Sequence, residues 1–310
     1  MRSGAAAGHE GYFHTSLCYS SDEELLAVAV PFLTEGREAG EPSLVTLDER
    51  SAGLVRSAMP AGSGVEYLPG GAVYSRPTAA IRSYRRLLAE HAATGAPQIR
   101  IVGGVPSGPA WARYEAAINH AYNDFPLWSI CVYDQRTTPS DMLTEVARTH
   151  PRTARPDGTH EPSPTYLDPI GYLSEPWKVD PDPLESTRPF ARIAAPTPAA
   201  ARSAVRAAAV GILGEDALED LVVAVSEAVT NALVHGQPPV GLRVWSGAGR
   251  VVVAVSDAGP GPKDPFAGLL PAMDRSVGGR GLWIVHQSCD NVTAETSPDG
   301  FTLRLTAGTL

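Results

Sequence analysis

Nine prolines fall between residues 149 and 189 of this 310-residue chain. Each removes a backbone donor and pushes its predecessor out of the helical region, so the stretch can sustain neither a helix nor a central strand. A chain broken this way in its middle is expected to fold as two bodies, in keeping with a length of about 150 residues per domain. The run reads as an irregular tail followed by a linker, with the boundary near Pro183. The first domain is then predicted over residues 9–175, the linker over 176–187 and the second domain over 188–310. No internal repeat is visible.

Before the break, helical and strand patterns alternate. Ser21, with Glu24 three residues on, reads as a capping box that opens a helix. Strands are predicted over 43–47, 98–102 and 127–133, and helices from Pro77 and over 109–125 and 139–150. This alternation predicts α/β layers around a largely parallel sheet. After the break the order changes. A short strand over 190–194 leads to helices over 197–213 and 215–235, then strands over 240–245 and 250–256. A long loop, a helix from Arg280 and closing strands over 292–296 and 301–306 complete the chain. Consecutive antiparallel strands with helices gathered beside them predict a two-layer α/β sandwich.

Composition narrows the function. With 43% apolar and 19% charged residues, the chain can bury a core and is not a disordered polymer. Lys and Arg total 25 against 34 Asp and Glu, a net charge of −9 that lacks the field for phosphate backbones, so no direct nucleic-acid partner is expected. The arginines beside Tyr84 (Arg85 and Arg86) read as a solvated helix face, with Tyr84, Leu87 and Leu88 turned to the core. Apolar runs stay well short of the roughly 18–20 residues a membrane helix needs, and no charged-then-apolar leader opens the chain. The three cysteines, Cys18, Cys131 and Cys289, form no C-x-x-C pair, which argues against a disulfide framework or a structural zinc site. These features predict a soluble cytoplasmic protein with no membrane partner.

The chemistry concentrates in the second domain. Glu227, Asn231 and His235 stand at i, i+4 and i+8 on the predicted helix over 215–235 and project from one side. A carboxylate, an amide and an imidazole stacked this way can hold a metal ion, a water and a phosphate, although such a stripe can also simply face solvent. Asp257-Ala-Gly259-Pro-Gly261 ends a strand. An aspartate there can accept from an exocyclic amine, and the glycines let the backbone approach a flat ring; alone, the pattern also suits an ordinary turn. Gly278-Gly279-Arg280-Gly281-Leu282 then opens a helix, leaving free N–H groups at its positive end as a phosphate seat.

In this order, the three segments resemble the N, G1 and G2 boxes of the GHKL ATPases, over roughly residues 188–310. Within that superfamily the chain looks most like the anti-sigma-factor serine/threonine kinases. The resemblance implies the Bergerat fold, ATP and Mg²⁺ as cofactors, and Asn231 as the metal ligand. It implies that Asp257 reads the adenine amine, with Gly259 and Gly261 beside it, and that Gly279 and Gly281 contact phosphates, flanked by Arg280 and Leu282. His235 and Thr302 would border the nucleotide, residues 262–278 would form its lid, and Glu227 would be the general base toward a serine or threonine hydroxyl. The implied partners are a sigma factor and an anti-anti-sigma (STAS-type) protein, and the implied assembly is a homodimer. A histidine autokinase would need a phospho-accepting histidine on a helical hairpin upstream, and the helix over 197–213 contains none. A module that binds ATP and sequesters a partner without phosphoryl transfer remains open, since a fold can bind ATP without positioning an acceptor.

His14, Tyr19, Glu23 and Glu24, followed by Trp111, Tyr114-Glu115 and Cys131-Val-Tyr-Asp134-Gln-Arg136, resemble the MEDS sensory domain over roughly residues 9–172. That family implies a degenerate RecA-like α/β fold and a small-molecule ligand in the N-terminal domain. Gly103 and Gly108 have phosphate-loop spacing, but Pro109 and Ala110 stand where lysine and a hydroxyl are needed, so they read as a turn. His14 and Cys18 at i, i+4 are a candidate metal pair too small to make a site. Glu115 and Asp134 are candidates to line a pocket. A first domain that serves only as a dimerisation or docking platform is the alternative.

Overall fold

The computed structural model describes residues 1–69, 76–176, 180–271 and 280–309. The chain divides into two compact units, Met1–Leu173 and Ser174–Leu310. Among the described residues no helix is long and apolar enough to cross a membrane.

The N-terminal unit contains β1 (Phe13–Tyr19), α1 (Asp22–Glu38), β2 (Ser43–Thr46), α2 (Glu49–Ala58), β3 (Glu66–Tyr67) and α3 (Pro77–Ala93). It continues with β4 (Ile99–Gly103), α4 (Pro109–Ala121), β5 (Leu127–Asp134), α5 (Ser140–Thr149), β6 (Arg152–Ala154), β7 (His160–Pro162) and α6 (Pro169–Ser174). The strands form one sheet in the order β3-β2-β4-β5-β1-β6-β7, parallel except for β7 against β6. Strands β2 and β4 are buried at every position, as expected of a parallel sheet covered on both faces. Phe13, Leu17, Val102 and Ile130 pack with Leu25, Phe32 and Val55 from α1 and α2. On the other face Cys131 and Tyr133 meet Leu143 and Val146 of α5.

One central strand was not predicted, and two local expectations are revised. Central strand β1, Phe-His-Thr-Ser-Leu-Cys-Tyr, carries too many polar residues to read as a strand, yet all but one of its positions are buried. Its polar groups are satisfied inside, as where Thr15 Oγ1 donates to the Ser129 carbonyl at 2.7 Å. The capping box forms by half: Ser21 Oγ accepts from Glu24 N at 3.3 Å, whereas the Glu24 carboxylate reaches past it to Ser20 N at 2.7 Å. The proline-rich run is not wholly irregular. Pro162 closes the edge strand β7, where a missing N–H breaks no ladder, and Pro169 opens α6 at a position that needs no donor.

The C-terminal unit contains β8 (Ala191–Ala194), α7 (Pro198–Ala208), α8 (Glu215–His235), β9 (Gly241–Gly247), β10 (Arg250–Asp257), α9 (Arg280–Ser288), β11 (Asn291–Ser297) and β12 (Gly300–Gly308). Its sheet, ordered β11-β12-β10-β9-β8, is antiparallel throughout. Period-two alternation turns Val251, Val253, Val255, Leu303 and Leu305 toward the helices, where they pack with Val205, Val225, Val229 and Val285. This is the predicted two-layer α/β sandwich.

The opposite sheet face, with Trp245, Val252 and Ala254, is covered by Leu184. Leu184 lies in the 3₁₀ turn Pro183–Ser186, which has a complete capping box between Asp182 and Glu185. Arg250 Nε and Nη2 each donate to Asp182 at 2.9 Å, Arg304 Nε donates to Glu185 at 3.0 Å, and Trp245 Nε1 donates to the Thr187 carbonyl at 3.2 Å. The later half of the segment read as a linker is therefore a strap on this sheet.

Candidate nucleotide site

Helix α8 is fixed in rotation by its apolar stripe. Leu221, Val222, Val225 and Val229 are buried in the core, which leaves Glu227 and Asn231 half-buried on a flank of the helix. Helix α9 packs on that flank. A Cβ added to Gly281 would lie 2.8 Å from Glu227 Oε2 and 2.9 and 3.0 Å from the two Asn231 amide atoms. Glycine therefore lets the first turn of α9 sit against both side chains without displacing them. Neither Glu227 nor Asn231 spends its polar atoms on a hydrogen bond or ion pair among the described residues, so both remain available to a ligand beside the N–H groups that open α9.

Asp257 ends β10 and is 8% exposed. Its Oδ1 accepts from Gly259 N at 2.7 Å and from Gln237 N at 3.1 Å, while Ala258 N donates to the Gln237 carbonyl at 2.8 Å. These bonds tie the end of β10 to the end of α8 and leave Oδ2 uncommitted among the described residues. Two glycines make the arrangement possible. A Cβ on Gly236 would stand 2.5 Å from Asp257 Cγ, and one on Gly259 would stand 2.7 Å from Oδ1. Gly261 adopts φ +80°, a left-handed conformation that suits glycine, and lies against the Phe301 ring. Gly236 was not among the predicted site residues; its signal in the sequence is a glycine placed just after His235.

The other predicted positions fall as follows. His235 is exposed at the last turn of α8, Arg280 is exposed at the start of α9, and Leu282 packs against the core behind Gly281. Gly279 and the later part of the expected lid, residues 272–278, lie outside the described residues. Thr302 is not brought to Asp257. It pairs with Ser256 and Glu295, whereas Asp257 pairs with Phe301. Alternation along β12 therefore turns Thr302 to the sheet face that carries Trp245 and away from the helices.

Residues 192–307 match the family of histidine kinase-like ATPase domains, and residues 13–151 match the MEDS family, the methanogen/methylotroph DcmR sensory domain. The chain joins a sensory domain to a histidine kinase-like ATPase domain. An ATPase domain of this type implies ATP binding. Among solved structures, the histidine kinase domain of the E. coli osmosensor EnvZ is similar at 18% identity and a TM-score of 0.25, covering 40% of this chain and 91% of that one. No curated protein matches the chain.

The sensory domain gathers a second set of reactive groups. His14 and Cys18 are not a pair: on strand β1, residues four apart are separated by about 13 Å. Glu115 and Asp134 also part company, since Asp134 is held by Arg136 at 2.7 Å at the strand end. Instead His14, Glu115, Cys131 and His150 converge, all buried, with one ligand-type atom from each lying within 4.8 Å of the others. The sequence suggested Glu115 as a pocket-lining residue, but beside Asp134, and it marked neither Cys131 nor His150 as a partner of His14. Burial pulls the pKa of both His14 and His150 down to about 3, so both imidazoles are neutral. Burial likewise pushes the Glu115 carboxyl upward.

Proposed function

We propose that the protein is a cytoplasmic serine/threonine protein kinase of the anti-sigma type. In this reading it uses ATP and Mg²⁺ to control a sigma factor by partner switching, with the sensory domain biasing the outcome. The observation that carries it is the meeting of Glu227 and Asn231 at Gly281, where a carboxylate and an amide without protein partners among the described residues flank the N-terminus of α9. Asn231 has the right donor chemistry to hold Mg²⁺, an oxygen-seeking ion, and no protein group among the described residues competes for its side chain. When bound, the ion would neutralise charge on the phosphates.

Asp257 would orient the adenine through Oδ2, its carboxylate seated in the room that Gly236 and Gly259 leave, and Gly259 and Gly261 would let the backbone approach the ring. Backbone N–H groups at the start of α9 would hold phosphate oxygens. Glu227 would accept the proton of a partner's serine or threonine hydroxyl as its oxygen bonds to the γ-phosphorus and the bond to the β–γ bridging oxygen breaks, releasing ADP. The expected acceptor is a STAS-type anti-anti-sigma protein, and the expected assembly is a homodimer.

The test is transfer of labelled γ-phosphate to such a partner by wild type and Glu227→Gln. Transfer by wild type, and its loss in the variant with ATP affinity unchanged, is the expected result. ATP binding without transfer by wild type to any STAS partner tested would replace the kinase reading with that of an ATP-gated sequestering module.

A further inference from the structure

Parallel strands β1 and β5 place His14 opposite Ser129, two residues before Cys131, so His14 and Cys131 point from the same sheet face. Helix α4 brings Glu115 over that face, and His150 caps the C-terminus of α5 beside it. His14 Nε2 lies 3.1 Å from Glu115 Oε2 and 3.4 Å from Cys131 Sγ. His150 Nε2 lies 3.4 Å from the same Glu115 oxygen, and Cys131 Sγ lies 3.9 Å from it.

The surrounding hydrogen bonds fix which nitrogen each imidazole offers. Asn119 spends its amide N–H groups on the carbonyls of Glu115 and Thr149, so its Oδ1 is an acceptor, and His14 Nδ1–H donates to it at 2.9 Å. His150 Nδ1–H donates to the Val146 carbonyl at 2.8 Å. Both rings therefore aim an Nε2 lone pair inward at a carboxylate oxygen. A single carboxyl proton could answer only one of them, and His150 Nε2, fully buried, has no hydrogen-bond partner among the described residues. Leaving such a group unpaired in the interior is costly, which points to a missing electrophile between the rings.

We propose that this buried cluster binds one divalent transition-metal ion, zinc, through His14 Nε2, His150 Nε2, Cys131 Sγ and Glu115 Oε2. A tetrahedral ion with bonds of about 2.1 Å separates its ligands by about 3.4 Å, close to the spacings seen here. Two imidazoles, one thiolate and one carboxylate suit a borderline-soft ion. The thiol proton and any proton held by the Glu115 carboxyl pass to solvent on binding. The outer groups are those of a metal site: each histidine is oriented through Nδ1, and Tyr133 OH donates to Glu115 Oε1 at 3.0 Å, holding the carboxylate. A small cleft walled by Val105, Trp111, Met142 and Val146 reaches Glu115 and Tyr133.

The test uses the full chain, purified without a histidine tag. Elemental analysis should find about one zinc per chain. Chelator-stripped protein titrated with Co²⁺ should show the d–d bands of a tetrahedral site together with a thiolate-to-cobalt charge-transfer band. Cys131→Ser should lose the charge-transfer band, and His150→Gln should weaken Co²⁺ binding about tenfold or more. The wild-type spectra stand as a test even where a variant fails to fold. Well-folded, stripped wild type that shows no cobalt bands, or a charge-transfer band that survives in folded Cys131→Ser, would overturn the proposal.

Discussion

Substituting Gly281 by alanine separates the binding role of the α9 N-terminus from its structural one. The new methyl would sit 2.8 Å from Glu227 Oε2 and 2.9 and 3.0 Å from the Asn231 amide, closer than carbon and polar atoms pack. Both neighbours end in rotatable groups, so they can move away by a few tenths of an ångström. That movement takes Asn231 out of position for a charged ligand, a contact class with a net value of about 1.5–3 kcal/mol. ATP·Mg²⁺ affinity should then fall by about 10- to 150-fold. Stability should not fall in step. Alanine is favoured over glycine within helices by about 0.5–1 kcal/mol, which offsets part of the crowding. Gly53→Ala on α2, where nothing lies within 4 Å of the added Cβ, is the control for helix propensity alone. Calorimetric titration with ATP·Mg²⁺ and a thermal melt of both variants provide the readouts. Wild-type ATP affinity in folded Gly281→Ala would refute the placement of Asn231 and Glu227 at the nucleotide.

Two further outcomes test the scaffolds. Arg100 is fully buried, with Nε 2.7 Å from Glu41 and Nη1 2.6 Å from the Phe32 carbonyl, so Arg100→Met leaves a buried carboxylate without its cation. It should destabilise the sensory domain by about 3–5 kcal/mol, and a melting temperature equal to wild type would contradict this. The strap gives a pH signature: the Arg250 hydrogen bond holds the Asp182 carboxyl below the usual aspartate range. Because the folded pKa is the lower one, the pair stabilises above the ordinary value of about 4, and its contribution disappears as pH falls through the folded value. In urea unfolding, the stability gap between wild type and Arg250→Ala should be present at neutral pH and close in acid. A gap independent of pH would show that the ion pair is not its source.

The two-body organisation and most helices were legible in the sequence because they rest on local signals: proline density, helical spacing and caps. Helix α8 is the clearest case, since its apolar stripe and its Glu227–Asn231 flank share a single period. Strand β1 was not legible. His14, Thr15 and Ser16 break the apolar pattern of a buried strand, and their partners come from elements more than 100 residues away. The same distance hid the His14–Glu115–Cys131–His150 cluster, which exists only once β1, α4, β5 and α5 meet. Thr302 failed for a different reason. A one-residue change of register exchanges the two faces of a strand, and the motif alone did not fix which face met the helices. The strap at Asp182–Thr187 was masked by the prolines around it, whose constraint on the backbone equally suits a short docked turn.

The most direct test of the nucleotide site is calorimetric titration of ATP with Mg²⁺ into wild type and Asn231→Ala. Asn231 has no side-chain hydrogen bond among the described residues and is half-buried beside Gly281, so its truncation should leave the fold intact while removing the metal ligand. Saturable binding by wild type, lost in a well-folded variant, is the predicted result. No binding by well-folded wild type, or equal binding by both proteins, would contradict the assignment of α8 and α9 as the walls of an ATP·Mg²⁺ site.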